Sequence, residues 1–392
     1  MVAGSIRIPA LCCGTYGFRP TAGRVPYGGQ NSCSDKNLPT ILACAGPLAN
    51  DLDSLGLFMR AVVGARPHSY DATAMDMDWR ELPGSANKSK LRLGVLAEDP
   101  AYPIHPPVRK AVADAVQLLQ AEGHEIIHLS AQECRTAHAV QVAWGLFGLD
   151  TTARSILKAG GEDEIPSRLI IAERLRNVSP EFLSDLKDSE GLKRLSGLNA
   201  KRRIIEDEWR KVWNKHGLDA VVGQAAQNTA VEHDEFGMPP YTVILNLLDV
   251  SFSSFLSTLS YPLFLSTPVP GSPDQKNDPF MLLTGEPRGQ YPACVIPFQR
   301  ADASSTERDF EVKAGQSAPQ CKSNAPSSHV VMYPRHVRLF LTNHTWYLQL
   351  DNPDNIDGAP CSIQVFTSTM RDEECLEIAK VVDECLKKGS SK

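Results

Sequence analysis

No Cys-x-x-Cys spacing occurs in the 392 residues, although the chain holds ten cysteines. Cys12 and Cys13 are adjacent and the rest are scattered. A zinc site or a disulfide framework needs closer, repeated spacings, so the thiols read as reduced intracellular ones and no metal is expected. Long apolar runs are lacking too. The one charge-free stretch of membrane length, residues 250–269, carries six serines and the internal prolines Pro262 and Pro268. A spanning helix needs about 20 mostly apolar residues, so no membrane association is expected. The first residues show no basic segment followed by an apolar core, and the chain is read as leaderless and cytoplasmic. Positive charge is not in excess. The net charge is −6, which offers nucleic acid no broad attraction. The basic run Lys201-Arg202-Arg203 is followed by Glu206, Asp207 and Glu208, the pattern of a solvated helix face. No internal repeat is present.

What remains is an ordinary globular composition, 42% hydrophobic and 22% charged, long enough for a large core or two to three lobes. Residues 1–46 are punctuated by Pro9, Gly14, Gly17, Pro20, Gly23 and Pro26, and no long helix is expected through them. A helix is predicted after Gly46-Pro47-Leu48, capped by Asp51, with Leu52, Leu55, Met59 and Val62-Val63 at helical spacing. Residues 91–96 read as a strand. Pro106-Pro107 opens a helix carrying Val108, Ala111, Val112, Ala115, Val116 and Leu119, and Ile126-Ile127 starts a second strand. This order predicts a βαβ unit with parallel pairing. His105, His124 and His128 at its joints are read as exposed loop histidines rather than metal ligands. Residues 131–217 read as helical, 218–222 as a buried strand, and His233, Asp234 and Glu235 as a polar loop. A final helix carries Cys375, Ile378, Ala379, Val382, Cys385 and Leu386 on one face. Asp372, Glu373 and Glu374 at its start and Lys387-Lys388 at its end suit the helix dipole.

The most specific string lies at the start. Gly4-Ser5-Ile6-Arg7-Ile8-Pro9-Ala10 is followed by Cys13-Gly14-Thr15-Tyr16-Gly17-Phe18-Arg19-Pro20-Thr21-Ala22-Gly23-Arg24-Val25-Pro26. This run resembles the central segment of the amidase signature family, in its fungal acetamidase-like branch. The likeness extends, with gaps, over residues 1–249, 291–326 and 351–388. It implies an α/β fold, with a mixed β-sheet sandwiched between α-helical layers. It also implies hydrolysis of a small-molecule linear carboxylic amide to acid and ammonia. On that basis Ser5 is the nucleophile that forms an acyl ester. Val2, Ala3, Gly4 and Ser5 occupy the oxyanion positions, and Arg7 supports the loop. No cofactor is implied, and a homo-oligomer is left open.

Amide cleavage needs a nucleophile, a proton shuttle and an oxyanion site. The family's shuttle is a lysine acting through a bridging serine, both upstream of the nucleophile. Here Met1 stands four residues before Ser5, where the family has an aspartate. The resemblance therefore implies a single partial domain over 1–392, without its N-terminal portion and with negligible activity. The Met1 α-amine has a suitable pKa of about 8, but a loose terminus is a poor place for a base. Two rival readings are a non-catalytic fragment or binding module, and an amidotransferase subunit. The run Thr21 to Gly29 and the acidic balance speak against the subunit.

Residues 250–290 and 330–349 interrupt the family pattern and are read as insertions. Every valine codon begins with GT, and one glutamine codon ends in AG. The ends Val250 and Gln290, and Val330 or Val331 and Gln349, are thus compatible with retained introns translated in frame.

Overall fold

The computed structural model describes residues 4–31, 33–35, 37, 38, 40–82, 90–163, 181–231, 236, 238–248, 291–302, 311–313, 339–342, 345–349 and 357–390. Its centre is a mixed seven-stranded sheet in the order β2-β1-β6-β10-β5-β3-β4. The strands are β1 (Tyr16–Arg19), β2 (Leu48–Ala49), β3 (Arg92–Val95), β4 (Glu125–His128), β5 (Ala220–Gln224), β6 (Ala293–Arg300) and β10 (Pro360–Phe366). β3 pairs in parallel with β4 and with β5. The other neighbours are antiparallel. The predicted βαβ unit is present: α3 (Pro106–Ala121) connects β3 to β4.

Helices cover both faces, as the sequence predicts. On one face, α2 (Leu52–Gly64), α3 and α9 (Asp372–Ser390) pack Leu55, Met59, Val116, Leu119, Ala379 and Val382 against Phe18, Val222, Ile296 and Val365. Asp51 caps α2 by accepting the Ser54 N–H at 2.7 Å, as its position before the apolar stripe suggests. The other face holds α1 (Arg7–Cys13), α4 (Ala131–Cys134), α5 (Thr136–Phe147), α7 (Gly191–His216) and α8 (Pro240–Leu247). The short α6 spans Thr152–Gly160. Trp209 of α7 is fully buried and donates its indole N–H to the Cys134 carbonyl at 3.0 Å. Its ring sits 5.7 Å from that of Phe366, tying this helical layer to β10.

Some expectations change. The proline-punctuated start forms a short, seven-residue helix, α1, through Pro9, and not a long one. Proline is tolerated there because first-turn N–H groups have no intrahelical acceptor. β1 lies in the same stretch, and Gly17 lets it approach α1: a Cβ there would come within 2.7 Å of Ala10 Cβ. Leu48-Ala49 is an edge strand preceding the helix. Arg202 is buried rather than solvated, because it bonds Glu206 within α7 and reaches the Thr40 carbonyl. His105 and His124 are buried too. The His124 ring accepts the Leu91 N–H at Nδ1 and faces Cys385 Sγ at 3.5 Å. Among the described residues no group of three or more His, Cys, Asp or Glu is arranged to hold a metal, and no helix is long and apolar enough to cross a membrane.

Of the two interrupting stretches, 250–290 lies outside the described residues, as do His233, Asp234 and Glu235. Part of 330–349 forms β8 (Leu339–Thr342) and β9 (Thr345–Gln349), which join β7 (Glu311–Lys313) in a separate antiparallel sheet.

Candidate active site

Ser5 lies in the turn that leads into α1. The turn is closed by Ile8 N–H donating to the Gly4 carbonyl at 2.8 Å and by Ala10 N–H donating to Ile6 O at 3.1 Å. Gly14 ends the helix in the left-handed conformation, its N–H reaching the Ala10 and Leu11 carbonyls. Ala10 and Leu11 then pack on Ala225, Ala226 and Val295. Seven residues would not hold a helix alone, so this packing fixes where Ser5 stands. The serine itself is exposed, whereas Gly4 before it and Arg7 after it are buried.

Gly4 has φ +142, and a Cβ there would fall 2.7 Å from Thr242 Oγ1 and 2.8 Å from Ile8 Cγ1. The chain can pass between α1 and α8 only because this residue has no side chain. Gly4→Ala is therefore expected to cost about 1–3 kcal/mol, measured by chemical denaturation, with increased hydrogen exchange in the α1 amides.

Arg7 joins three elements. Nη1 donates to Gln364 Oε1 on β10 at 2.8 Å. Nη2 donates to the Thr242 carbonyl at 2.8 Å and to Asn246 Oδ1, both on α8. Gln364 in turn donates through Nε2 to the Tyr241 carbonyl at 3.2 Å. Burial, with Arg19 adding to it, pushes the Arg7 guanidinium well below its ordinary pKa. Nearby, Tyr241 Oη donates to the Tyr102 carbonyl at 2.6 Å and accepts the Asp99 N–H at 3.0 Å. His105 N–H donates to Gln227 O at 2.7 Å. The segments after β3 and β5 are thereby tied to α8.

The structure thus brings Gly4, Ser5 and Arg7 together, while Val2 and Ala3 lie outside the described residues. Sequence reading gave no role to Gln364, Asn246 or Thr242. The available signal was a polar residue inside an apolar run: Gln364 between Ile363 and Val365, Asn246 between Leu245 and Leu247. A cavity of about 440 Å³ opens elsewhere, beside α3 at the carboxyl ends of β3 and β4. Leu96, Glu98, Arg109, Val116, His128 and Gln224 are among its lining residues, and none comes from α1 or α8.

Among residues with described side chains, no lysine is buried. A lysine that acts as a general base must be desolvated or placed beside another cation to be neutral near pH 7.

Comparison with known proteins bears on the same residues. The family model described as Amidase matches residues 2–376. An amidase of Gibberella moniliformis is 33% identical over 280 residues, covering 69% of this chain and 51% of its own length. An acetamidase of Aspergillus oryzae is 29% identical, covering 66% of this chain and 47% of its own length. The chain therefore spans about half the length of the curated relatives it matches. Among solved structures, a fatty acid amide hydrolase superposes with a TM-score of 0.69 at 19% identity, over 98% of this chain and 55% of that one. At that identity the likeness speaks for the fold: a mixed sheet between helical layers. The chain belongs to the amidase signature family.

Proposed function

We propose that this chain carries the acyl-accepting site of an amide hydrolase, with Ser5 as its nucleophile. Ser5 Oγ adds to the carbonyl of a small linear carboxylic amide, and the C–N bond breaks as the amide nitrogen takes the serine's proton and leaves as ammonia. Water then cleaves the acyl ester, releasing the acid and restoring the serine. Backbone N–H groups at Val2, Ala3, Gly4 and Ser5 serve the developing oxyanion, and Arg7 holds their turn. The observation that carries this reading is the Gly-Ser-Ile-Arg turn itself, fixed by a buried arginine bonded to two other elements. Substrate size follows the relatives described as amidase and acetamidase. The site belongs to a cytoplasmic protein in this reading.

The lack of a buried lysine among the described side chains favours a second reading for the 392-residue polypeptide on its own, that of a non-catalytic fragment. Loss of an activating base costs about 10⁴-fold or more in triad enzymes, and an oxyanion donor is worth about 10²–10³. Ammonia release from acetamide by this polypeptide is therefore expected at the buffer rate, the same for wild type and Ser5→Ala. Ser5-dependent turnover would place the base within these residues and end the second reading. The first reading is tested by acyl transfer from an activated ester, p-nitrophenyl acetate, which has a good leaving group and does not need the full relay. The acyl group is expected on Ser5.

We also propose that 250–290 and 330–349 are insertions from retained introns in a single amidase domain. Transcripts lacking these codons support this, and uniform transcripts containing them refute it.

A further inference from the structure

The floor beneath Ser5 is built around one guanidinium whose surroundings are unusual. Arg7 is fully buried, yet its acceptors are the Gln364 amide, the Thr242 carbonyl and the Asn246 amide, all uncharged. Its Nε has no acceptor. A buried charge is costly unless paired, and two other buried arginines of the described residues, Arg24 and Arg202, are paired in that way. Arg24 lies 2.7 Å from Glu373 and 3.8 Å from Asp372. Arginine is not deprotonated in proteins, so Arg7 keeps its full charge, and none of the described residues that it bonds is a carboxylate. Each amide partner has a carboxylate of nearly the same shape, Asp for Asn246 and Glu for Gln364. Either would match the charge at one stroke, Glu at 364 at the cost of the bond that Gln364 Nε2 donates to the Tyr241 carbonyl.

We propose that Asn246 and Gln364 are positioning residues that hold Arg7 as an unmatched cation under the Ser5 turn, so that negative charge formed there during acyl transfer is favoured. A fixed charge in a water-poor site acts strongly and needs no reorganisation when the reaction occurs. The catalytic use of this field rests on the Ser5 reading; the field itself does not.

Cys44 reports that field independently of Ser5. It is half-buried, its Sγ donates to the Pro20 carbonyl at 3.2 Å, Gly46 in the same segment lies against Ile6, the residue before Arg7, and only the thiolate is alkylated. The test compares wild type, Asn246→Asp, Gln364→Glu, Asn246→Leu and Ser5→Ala. Two quantities are read at pH 8: the thermal midpoint, and the rate of Cys44 alkylation by iodoacetamide, followed by peptide mass mapping. Asn246→Asp is expected to raise the midpoint by about 3 °C, and both acidic variants to slow Cys44 alkylation about fivefold or more. Asn246→Leu removes an acceptor without adding charge, and is expected to lower the midpoint without slowing alkylation. Ser5→Ala leaves Cys44 alkylation unchanged, so failure of Ser5 chemistry is distinguishable from failure of this proposal. A lower midpoint with unchanged alkylation in both acidic variants, or failure of both to fold, overturns it.

Discussion

Arg7→Ala is expected to lose about 3–5 kcal/mol of folding stability, concentrated in the segment that carries Ser5. Truncation leaves three buried acceptors, on Gln364, Asn246 and the Thr242 backbone, without their donor. Each stranded group costs about 1–3 kcal/mol, and the relief from removing a desolvated charge offsets part of the sum. Arg7→Lys is expected to recover less than half, because a single ammonium cannot reproduce the planar fork that spans β10 and α8. Chemical denaturation gives the total. Native-state hydrogen exchange gives the location: amides of α1 should lose protection before those of β5 and β6. A uniform loss across the sheet would contradict the assignment of Arg7 to this turn.

The second large effect is at the other end of the same segment, where the loop after β1 meets α9. Thr21 donates its N–H and Oγ1–H to Asp372 at 2.7 and 2.6 Å. Arg24 bonds Glu373, and Arg80 bonds Glu373 and Glu374. The two buried carboxyls are shifted in opposite directions. Burial raises Asp372 despite Arg24 and Thr21. Burial also pushes Glu373 upward, but the Arg80 N–H and the Arg24 and Arg80 guanidiniums outweigh it and hold it below its ordinary value. Glu373 therefore contributes stability that is present above its unfolded pKa, about 4.3, and lost as pH falls through its lower folded value. Asp372 runs the other way: the folded state binds its proton more tightly, so stability is gained as pH falls through its raised folded value.

Arg24→Met removes the cation that faces both. At pH 8 the expected loss is about 3–5 kcal/mol, the cost of stranding a buried charge. In the variant both carboxyls move up, so the folded state takes protons before the unfolded chain does. The deficit should shrink steadily from pH 8 to about pH 4. Urea denaturation at unit pH steps measures it. A deficit independent of pH would mean that the loss is one of packing against Trp79, over whose ring Arg24 also lies at 5.5 Å.

How much of this was legible beforehand differs by element. The β3–α3–β4 unit, α2 and α9 follow from periodicity and caps, because their apolar positions repeat within one turn or one pleat. The start of the chain was harder. Its prolines and glycines argue against a long helix, and contact with Ala225, Ala226 and Val295 makes the short α1 worth forming. Charge at the start of α9 matched the helix dipole, but that local rule could not show that Asp372 and Glu373 are buried under a loop some 350 residues away in sequence. Of the three histidine joints, His128 is exposed as expected, and the expectation failed at His105 and His124 for a similar reason. A loop position suggests exposure, while β3 and α9 close over His124. Ser5 was readable as a motif, yet the groups that hold its turn were not. Gln364 and Asn246 are 357 and 239 residues from Arg7, and no local pattern connects them.

The account stands most directly on acyl capture. The purified 392-residue polypeptide and Ser5→Ala are treated with p-nitrophenyl acetate, quenched in acid and mapped by peptide mass spectrometry. The expected result is one acetyl group on Ser5, formed faster than on exposed serines such as Ser54 and absent from the variant. Acetylation spread over surface residues, with no preference for Ser5 and no change in Ser5→Ala, would contradict the assignment of this serine as the acyl acceptor.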